Sequence, residues 1–492
     1  MIFFQAAMSA ALLLNPGLSL AAVGRPAIPG AELSGIWTLP FVCMLLSIAI
    51  LPLALPHIWR RHFGKISLFW GLTFFVPCLL VYGQSVALYE FLRSMLLEYI
   101  PFIILLLSLF TVAGGVRLTG TLAGTPVVNT GMLAAGAALA SWMGTTGAAM
   151  LLIRPLLRAN KHRRYKVHSV VFCIFLVANI GGALTPLGDP PLFLGFLKGV
   201  SFFWTTKHLF LMTVSLSLAL LILYFILDTI FFAKEGRPKP PAADDDEKLG
   251  LEGKINLLLL AGIVSAVLMS GIWQPDAKPF AIYGIELAWQ DIARDVILLI
   301  IAGLSLTLTS RECRDKNEFS WGPIEEVAKL FLGIFLSMVP AVAILKAGAD
   351  GALAPLIKFV SRDGQPVDYM YFWLAGGLSS FLDNAPAYLV FFNTAGGDVQ
   401  QLMGPMSRTL AAISAGAVFM GANTYIGNAP NFMVRAIAEN QGVAMPSFFG
   451  YMLWSGGILI PAFIILSWLV FLETYCSPTH HFAKKTARFS TL

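Results

Sequence analysis

Charged residues are scarce in this sequence, because only 12% of its 492 residues are Asp, Glu, Lys or Arg. Hydrophobic residues make up 57% of the chain, and they lie in apolar runs long enough to cross a membrane. This composition excludes an ordinary soluble globular protein. The net charge of +6 is modest and gives no indication of a nucleic-acid partner. We therefore predict a multi-pass protein whose partner is the lipid bilayer.

Cysteine is also rare, and its spacing carries no pattern. The five cysteines stand far apart, without CxxC or mixed Cys/His spacing, so neither a disulfide framework nor a zinc site is predicted. The HExxH, GxSxG and GxxxxGK[ST] patterns are absent too, which removes the commonest sequence signs of a membrane enzyme or an ATP-driven pump. We expect a protein that is not an enzyme and has no cofactor.

A charged, proline-rich linker at 234–254 divides the apolar part of the chain into two halves, and we expect this linker in the cytoplasm. The first predicted transmembrane repeat is 37–233, and the second is 255–472. The segment 1–24 has an apolar core followed by small residues, which is typical of either a cleaved signal peptide or an extra helix. The remaining segment, 473–492, is a polar tail.

Each half shows the same order of segments: three spans, an interrupted apolar segment, a broken span and a closing span. Arg117 and the basic stretch "RPLLRANKHRRYK" border the interrupted segment 119–158, so the positive-inside rule puts both of its ends in the cytoplasm. We therefore predict a re-entrant hairpin, with two ordinary helices as the alternative. The matching hairpin is 369–397, and the broken helices are 168–198 and 408–436.

A shift of 239 residues relates the two halves. It places Ser141 on Ser380 and Gly188 on Gly427 in one register without a gap. The decapeptides "GALTPLGDPP" and "GANTYIGNAP" share five residues at matching positions. Five crossings per half make the repeats inverted. The predicted fold is an all-α polytopic membrane protein, an inverted repeat of two five-span units, each with a re-entrant hairpin and a broken helix.

The basic tail is at odds with this crossing count. Five crossings in each half place the C-terminus outside, whereas Lys484, Lys485 and Arg488 favour the inside by the positive-inside rule. One miscounted span in the second half is the alternative, and it would also remove the inversion.

Four breaks, "SWMGTTG", "TPLGDPP", "SFLDNAP" and "TYIGNAP", are expected to converge near the membrane midplane. Such breaks free backbone carbonyls on one side and helical N–H groups on the other, which together can hold a cation and a nearby anion. Their side chains are mostly small, hydroxyl or amide groups, as oxygen coordination of a hard cation requires. The predicted ion- or proton-binding residues are Asp189, Asp383, Asn384, Thr185, Gly188, Thr145, Thr146, Asn179, Asn423, Thr424 and Asn428.

The repeat is not symmetric in charge, since Asp189 aligns with Asn428 and Asp383 aligns with Gly144. An intramembrane carboxylate is costly and by default marks an ion or proton pathway. A poorly hydrated carboxyl group holds its proton more tightly, so protons and metal ions can compete for it. We therefore predict Na⁺ sites at Asp189 and Asp383. The alternative is that each aspartate only caps a proline-started half-helix. Asp228, late in its span, is a third candidate for a proton path.

The motifs "NIGGALTPLGDPP" and "SSFLDNAP", set in duplicated halves, resemble the ion transporter superfamily, and within it the NhaD-type sodium/proton antiporters and the related arsenite and citrate carriers. The resemblance covers about 37–472. It implies a secondary transporter of the bacterial inner membrane, usually a homodimer, with a scaffold and a moving unit. It also implies an ion site at Asp189 with Thr185 and Gly188, and at Asp383 with Asn384.

The hairpin tips depart from the dicarboxylate branch of the superfamily, in which they carry Ser-Asn-Thr. Here they are Gly-Thr-Thr at 144–146 and Asp-Asn-Ala at 383–385. Because an added carboxylate repels a polyanion, the departure favours small inorganic cations as substrates. We expect a Na⁺(Li⁺)/H⁺ antiporter that works by alternating access. An H⁺- or Na⁺-coupled citrate or carboxylate carrier is the alternative, and an arsenite or other anion carrier comes third.

Overall fold

The computed structural model describes residues 27–120, 122–238, 250–362 and 364–472. The segments 1–24 and 473–492, for which a signal peptide or extra helix and a polar tail are predicted, lie outside these residues. So does the middle of the linker. Within the described ranges the chain is mainly α-helical, and its strands form three short antiparallel pairs. The prediction of a helical, multi-pass membrane protein is confirmed.

The helices of the first half follow the order of the predicted segments. They are α1 Leu39–Ala54, α2 Pro56–Ser94, α3 Ile100–Ala113, α4 Pro126–Met143, α5 Thr145–Ala159, α6 Val167–Leu176, α7 Pro190–Leu197 and α8 Phe202–Lys234. Strand β1, Arg117–Thr119, pairs antiparallel with β2, Gly250–Glu252, so it joins the end of α3 to the start of the second half.

The second half has the longer list of elements, because short helices connect its spans. They are α9 Ile255–Ile272, α10 Trp289–Leu308, α11 Arg311–Lys316, α12 Gly322–Lys346, α13 Ala354–Phe359, α14 Asp368–Phe381, α15 Asn384–Thr394, α16 Val399–Met403, α17 Ser407–Met420, α18 Ala429–Asn440 and α19 Phe448–Ser467. Two tight hairpins, β3 Phe280–Ile282 with β4 Ile285–Leu287, and β5 Ser361–Arg362 with β6 Gln365–Pro366, lie in its loops.

Seven described helical segments are long and apolar enough to cross a membrane. One of them, Pro56–Ala113, contains two of the spans predicted from the sequence, joined by a π-helical turn at Met95–Tyr99. From Arg60, Arg61 and Lys65 the positive-inside rule predicts that the stretch "HIWRRHFGK" is a cytoplasmic loop after the first span. It is instead the start of α2, because Pro56 occupies the first helical position, where a missing N–H costs nothing. Gly83, with φ +84°, interrupts α2 with a kink.

The segments 119–158 and 369–397 each contain two helices that meet at a tight turn. In the first, Gly144 joins α4 to α5 with φ +82° and ψ 146°, a conformation that favours glycine. In the second, Leu382 and Asp383 join α14 to α15 in extended backbone conformations. Both turns bring the start of a helix into the interior of the protein.

The two broken helices are interrupted in the same way. A 3₁₀ turn, Ile180–Leu184, follows α6, and the extended residue Thr185 then leads to α7. In the second half the turn is Gly421–Asn423, and the extended residue is Thr424. In the span Val167–Leu184, 89% of the residues are buried, whereas the share is 33% in the most apolar part of the closing span α8. Protein rather than lipid therefore surrounds the break. Its freed backbone groups therefore have protein partners, as the membrane interior requires.

Candidate functional site

The Asp189 carboxylate lies at the point where all four breaks meet. Thr145 Oγ1 donates to Asp189 Oδ1 at 2.9 Å, and Asn428 Nδ2 donates to the same oxygen at 3.0 Å. Asn384 Nδ2 donates to the other oxygen, Oδ2. These three donors come from the first hairpin, the second broken helix and the second hairpin. Asp189, on the first broken helix, is only 1% exposed.

The four residues of this cluster are two pairs related by the shift found in the sequence. The shift of 239 residues takes Asp189 to Asn428, and it takes Thr145 to Asn384. The pair Asp189 and Asn428 supplies the acceptor carboxylate and one donor. In the other pair, Thr145 and Asn384 both donate to that carboxylate. We call these four residues the Asp189 cluster.

Four helices begin at the Asp189 cluster. Thr145 and Asn384 are the first residues of α5 and α15, while Asp189 and Asn428 are the N-caps of α7 and α18. Each helix N-terminus carries a partial positive charge of about half an elementary charge. Helix α7 begins with Pro190 and Pro191, which have no N–H group, and Thr145 N already donates to the Gly188 carbonyl, so the donors at this point are mainly side chains. The cluster is therefore a concentration of hydrogen-bond donors with one buried carboxyl group at its centre.

The alternative that each aspartate only caps a half-helix fits one of the two aspartates and not the other. Asp189 precedes α7, yet its side chain makes no capping hydrogen bond and is directed to the other three breaks. Asp383 Oδ1 does accept a hydrogen bond from Ala385 N, at 3.2 Å, and so caps α15. Capping thus accounts for Asp383 and does not account for Asp189. Ion binding at either aspartate stays a prediction.

Thr185 and Thr424 connect each broken helix to its hairpin. Thr185 Oγ1 donates to the backbone carbonyl of Ser141, and Thr424 Oγ1 donates to that of Ser380. Each hydroxyl also accepts a backbone N–H two residues later, at 3.2 Å in both halves. These bonds give each threonine a structural role, which is to hold the broken helix against its hairpin.

Gly188 is required by the close approach of two backbone segments. A Cβ at this position would lie 2.0 Å from the carbonyl oxygen of Gly182, and one at Gly427 would lie 2.4 Å from that of Gly421. The Gly188 carbonyl also accepts a hydrogen bond from Thr145 N at 2.8 Å. The glycines of both decapeptides therefore fold each break onto itself and set the position of Asp189.

The remaining predicted site residues surround the cluster. Asn179 Nδ2 donates to the backbone of α6, and its Oδ1 accepts from Asn428 Nδ2 at 3.3 Å. Asn423 Nδ2 donates to Ser380 Oγ at 2.9 Å. Thr146 is half-buried in the first turn of α5, next to Thr145.

Three further polar residues of the site were missed as candidates. Asn431 accepts from Asn179 Nδ2 at 2.7 Å and donates to the carbonyls of Gly421 and Thr424, so it connects the two broken helices. Ser141 and Ser380 cross-link each hairpin to its break through their hydroxyls. The sequence did mark Ser141 and Ser380, because the shift of 239 residues places one on the other. That match indicated the register of the repeat and not a role in the site.

Two buried carbonyl oxygens near the cluster lack a partner among the described residues. They belong to the side chains of Asn384 and Asn423. An unpaired buried acceptor is costly, and an amide oxygen is a normal ligand of Na⁺-like hard cations. Because Asn384 also donates to Asp189, a cation at its oxygen would lie close to the carboxylate. Within the described ranges no group of three or more His, Cys, Asp or Glu residues is placed to hold a metal.

The third candidate, Asp228, belongs to a separate buried cluster. It is paired with Arg163 at 2.8 Å and His168 at 2.9 Å, and it accepts from Asn129 Nδ2 at 2.9 Å. Arg163 also pairs with Glu235 at 2.9 Å. These contacts tie the first hairpin and the loop after it to the end of α8.

A family model described as "Putative citrate transport" matches residues 30–471, nearly the whole chain. The chain belongs to this family. Together with the seven candidate spans, the membership identifies a multi-pass membrane transporter rather than an enzyme. It is consistent with the ion transporter superfamily. No curated protein matches the chain.

The family match bears on the choice between the functions predicted from the sequence. It supports the citrate carrier, which we had as the alternative, and gives no support to the Na⁺(Li⁺)/H⁺ antiporter that we expected. The aspartate at the second hairpin tip, the residue that favoured cation exchange, caps α15 and is half-buried there. Capping leaves this carboxylate in place next to Asn384, so the support for the citrate carrier rests on the family match.

Proposed function

We propose that the protein is a secondary transporter of citrate or a similar di- or tricarboxylate, coupled to H⁺ or Na⁺, with the substrate bound beside Asp189. The observation that carries this proposal is the convergence of four helix N-termini on one buried point. The partial positive charge of a helix N-terminus favours a carboxylate, and the side chains of Thr145, Asn384 and Asn428 supply hydrogen-bond donors at this point. The family membership of the chain supports the same substrate class.

The hydrogen-bond polarity of the cluster favours an anion over a cation. Thr145, Asn384 and Asn428 all direct donors toward the centre. A dedicated cation site would present oxygens there instead. In the present arrangement Asp189 is the anion that satisfies these donors.

Coupling follows from the double role of those donors. When a proton or Na⁺ neutralises Asp189, its hold on the three side chains weakens, and they become free to donate to a substrate carboxylate. Without that neutralisation the substrate would meet a buried negative charge, which repels it strongly in a medium of low dielectric constant. Cation and carboxylate therefore bind together, and this requirement makes the transport coupled.

We also propose that the two halves are inverted repeats and that transport proceeds by alternating access. Matched hydrogen bonds support the repeat: Ser141 Oγ donates to the Gly181 carbonyl, and Ser380 Oγ donates to the Met420 carbonyl, one shift of 239 away. The meeting of equivalent residues at Asp189 is expected near a pseudo-two-fold axis. Rocking of such repeats about a fixed central site is a common transport mechanism.

Uptake of radiolabelled citrate into proteoliposomes tests the proposal. With an inward H⁺ or Na⁺ gradient, the wild-type protein should accumulate citrate, and Asp189→Asn should lower the gradient-driven rate at least tenfold. Asp315→Asn, which changes an exposed aspartate of α11, is the matched control and should transport normally. If the wild type moves no di- or tricarboxylate under either gradient, the proposal is wrong.

Na⁺(Li⁺)/H⁺ antiport remains the second candidate, and the unpartnered Asn384 oxygen beside Asp189 is the observation that favours it. The same liposomes distinguish the two functions when NaCl or LiCl is added against an imposed pH gradient. An antiporter collapses the gradient in the absence of any carboxylate, whereas the carrier proposed here needs citrate.

A further inference from the structure

A cavity of about 430 Å³ lies away from the Asp189 cluster, between the ends of α2 and α12. Four charged side chains line it, Glu90, Arg93, Glu98 and Lys346, beside apolar residues of α12. Glu90, Arg93 and Glu98 are helical, because α2 continues through the π-helical turn into α3. We call this space the Lys346 cavity.

Two of the helices that begin at the Asp189 cluster lead to the Lys346 cavity. Helix α7 starts after Asp189 and ends before Lys198, whose ammonium group pairs with Glu98 in the cavity wall. Helix α15 starts at Asn384, and the turn after it brings Gly397 close to Lys346: a Cβ on that glycine would lie 3.8 Å from the lysine Cε. Eight helical residues span about 12 Å. The cavity is therefore roughly that far from the site along α7.

The acidic groups of the cavity are already neutralised. Glu90 pairs with Arg93 at 3.3 Å, and its other oxygen accepts from the backbone N–H of Ile28 at 3.3 Å. Glu98 pairs with Lys198. Both carboxylates thus have cationic partners, and neither leaves an uncompensated negative charge in the cavity.

Lys346 is the one cation there for which the described residues offer no ion-pair or hydrogen-bond partner. It is the last residue of α12, and its side chain is exposed to the cavity. Arg93 is 34% exposed at its side chain, so part of its guanidinium is available beside Lys346. Arg93, Lys198 and Lys346 together face two carboxylates, so one positive charge is left uncompensated, and Arg93 can still donate from its exposed part. This charge and a volume within the usual range of about 300–1,000 Å³ for small-molecule sites match an anionic ligand such as a polycarboxylate.

We propose that the Lys346 cavity is a second binding site for the transported polycarboxylate, at the membrane face where α7 and α15 end. This inference rests on the proposed function, because the ligand is the same. Lys346 and Arg93 bind the anion at the surface, and their charge raises its local concentration next to the path to Asp189. The cavity therefore assists the capture of substrate from one membrane face. It takes no part in the joint binding of cation and carboxylate at Asp189.

Thiol labelling tests the cavity without any transport. Val342, which lines the cavity, is changed to cysteine and labelled with negatively and positively charged methanethiosulfonates, with the parent chain as the blank. The anionic reagent should be favoured, Lys346→Gln should lower the ratio of the two rates at least threefold, and millimolar citrate should slow labelling. Lys207→Gln, at an exposed lysine of α8, should change none of these values.

Transport kinetics in oriented vesicles complete the test. Lys346→Gln should raise KM for citrate at least threefold from one membrane face only, with kcat unchanged. If the wild type transports citrate but neither KM nor citrate protection responds to Lys346, the second site is wrong and the proposed function stands. If the wild type moves no citrate, the proposed function fails, while the labelling ratio still reports whether the cavity attracts anions.

Discussion

Asn428 donates a hydrogen bond to Asp189 at 3.0 Å across a separation of 239 residues. The same number is the shift that aligns the two halves of the sequence. Two equivalent positions are therefore in direct contact, and only one of them is a carboxyl group. This asymmetry in an otherwise matched pair is the feature on which the proposed coupling rests.

Exchanging the two residues tests whether their positions are interchangeable. Asp189→Asn removes the charge, and Asn428→Asp places two carboxylates face to face, so each single variant should lose at least nine-tenths of citrate uptake. The double variant restores one carboxylate and one amide to the same contact, and we expect it to regain at least a tenth of the wild-type rate. A double variant no more active than either single one would show that the two halves are not interchangeable at this point.

Asp383 should be important for stability more than for transport. Asparagine caps a helix about as well as aspartate, so Asp383→Asn should keep citrate uptake within twofold of the wild type. Asp383→Ala loses the bond to Ala385 N and should cost about 1 kcal/mol, measured as a lower Tm in detergent. A stable Asp383→Asn protein without uptake would instead make Asp383 an ion ligand, as the sequence first suggested.

The glycine at the first break should tolerate no side chain. Gly188→Ala forces a Cβ against the Gly182 carbonyl, so it should lower stability by about 1–3 kcal/mol and reduce transport with it. Gly131→Ala is the control, because this glycine lies within α4 with open space around its Cβ position. Alanine there should raise stability by about 0.5–1 kcal/mol. Equal melting temperatures for both variants would contradict the close approach at Gly188.

The buried pair at the end of α8 should be a structural anchor. Asp228→Asn leaves Arg163 buried with a weaker partner, and breaking such a pair costs about 3–5 kcal/mol. We expect a lower Tm and a poor yield of folded protein, with Asp315→Asn as the control. A normally stable Asp228→Asn protein whose coupling to H⁺ is lost would make Asp228 part of a proton path.

Much of the fold was predictable because its signals are local. Apolar runs indicated the spans, and the repeated glycines and prolines indicated the breaks and the shift between the halves. The loop before the second span was misread, since its basic residues suggested a loop while Pro56 starts a helix that includes them. The continuation of α2 into α3 through a π-helical turn, which includes Glu98, was also not predicted, because such a turn has no local sequence pattern.

The site was predictable in its members and not in their roles. Asp189 and Asp383 stand in similar contexts, each shortly before a proline at the start of a half-helix. The Asp189 carboxylate accepts from three donors that are distant in sequence, whereas the Asp383 carboxylate caps its own helix. This difference depends on tertiary packing, which a local sequence pattern does not show. The family match supports the alternative substrate class over the expected one, and Asp383, which the sequence counted as part of the site, serves as a cap.

The most direct measurement of the central claim follows citrate and its coupling ion together. Proteoliposomes with an internal pH or Na⁺ indicator receive an inward citrate gradient and no imposed ion gradient. We predict that citrate entering the wild-type vesicles brings H⁺ or Na⁺ with it, and that Asp189→Asn abolishes this ion movement while Asp315→Asn does not. Citrate-driven ion movement that persists unchanged in Asp189→Asn would contradict the account.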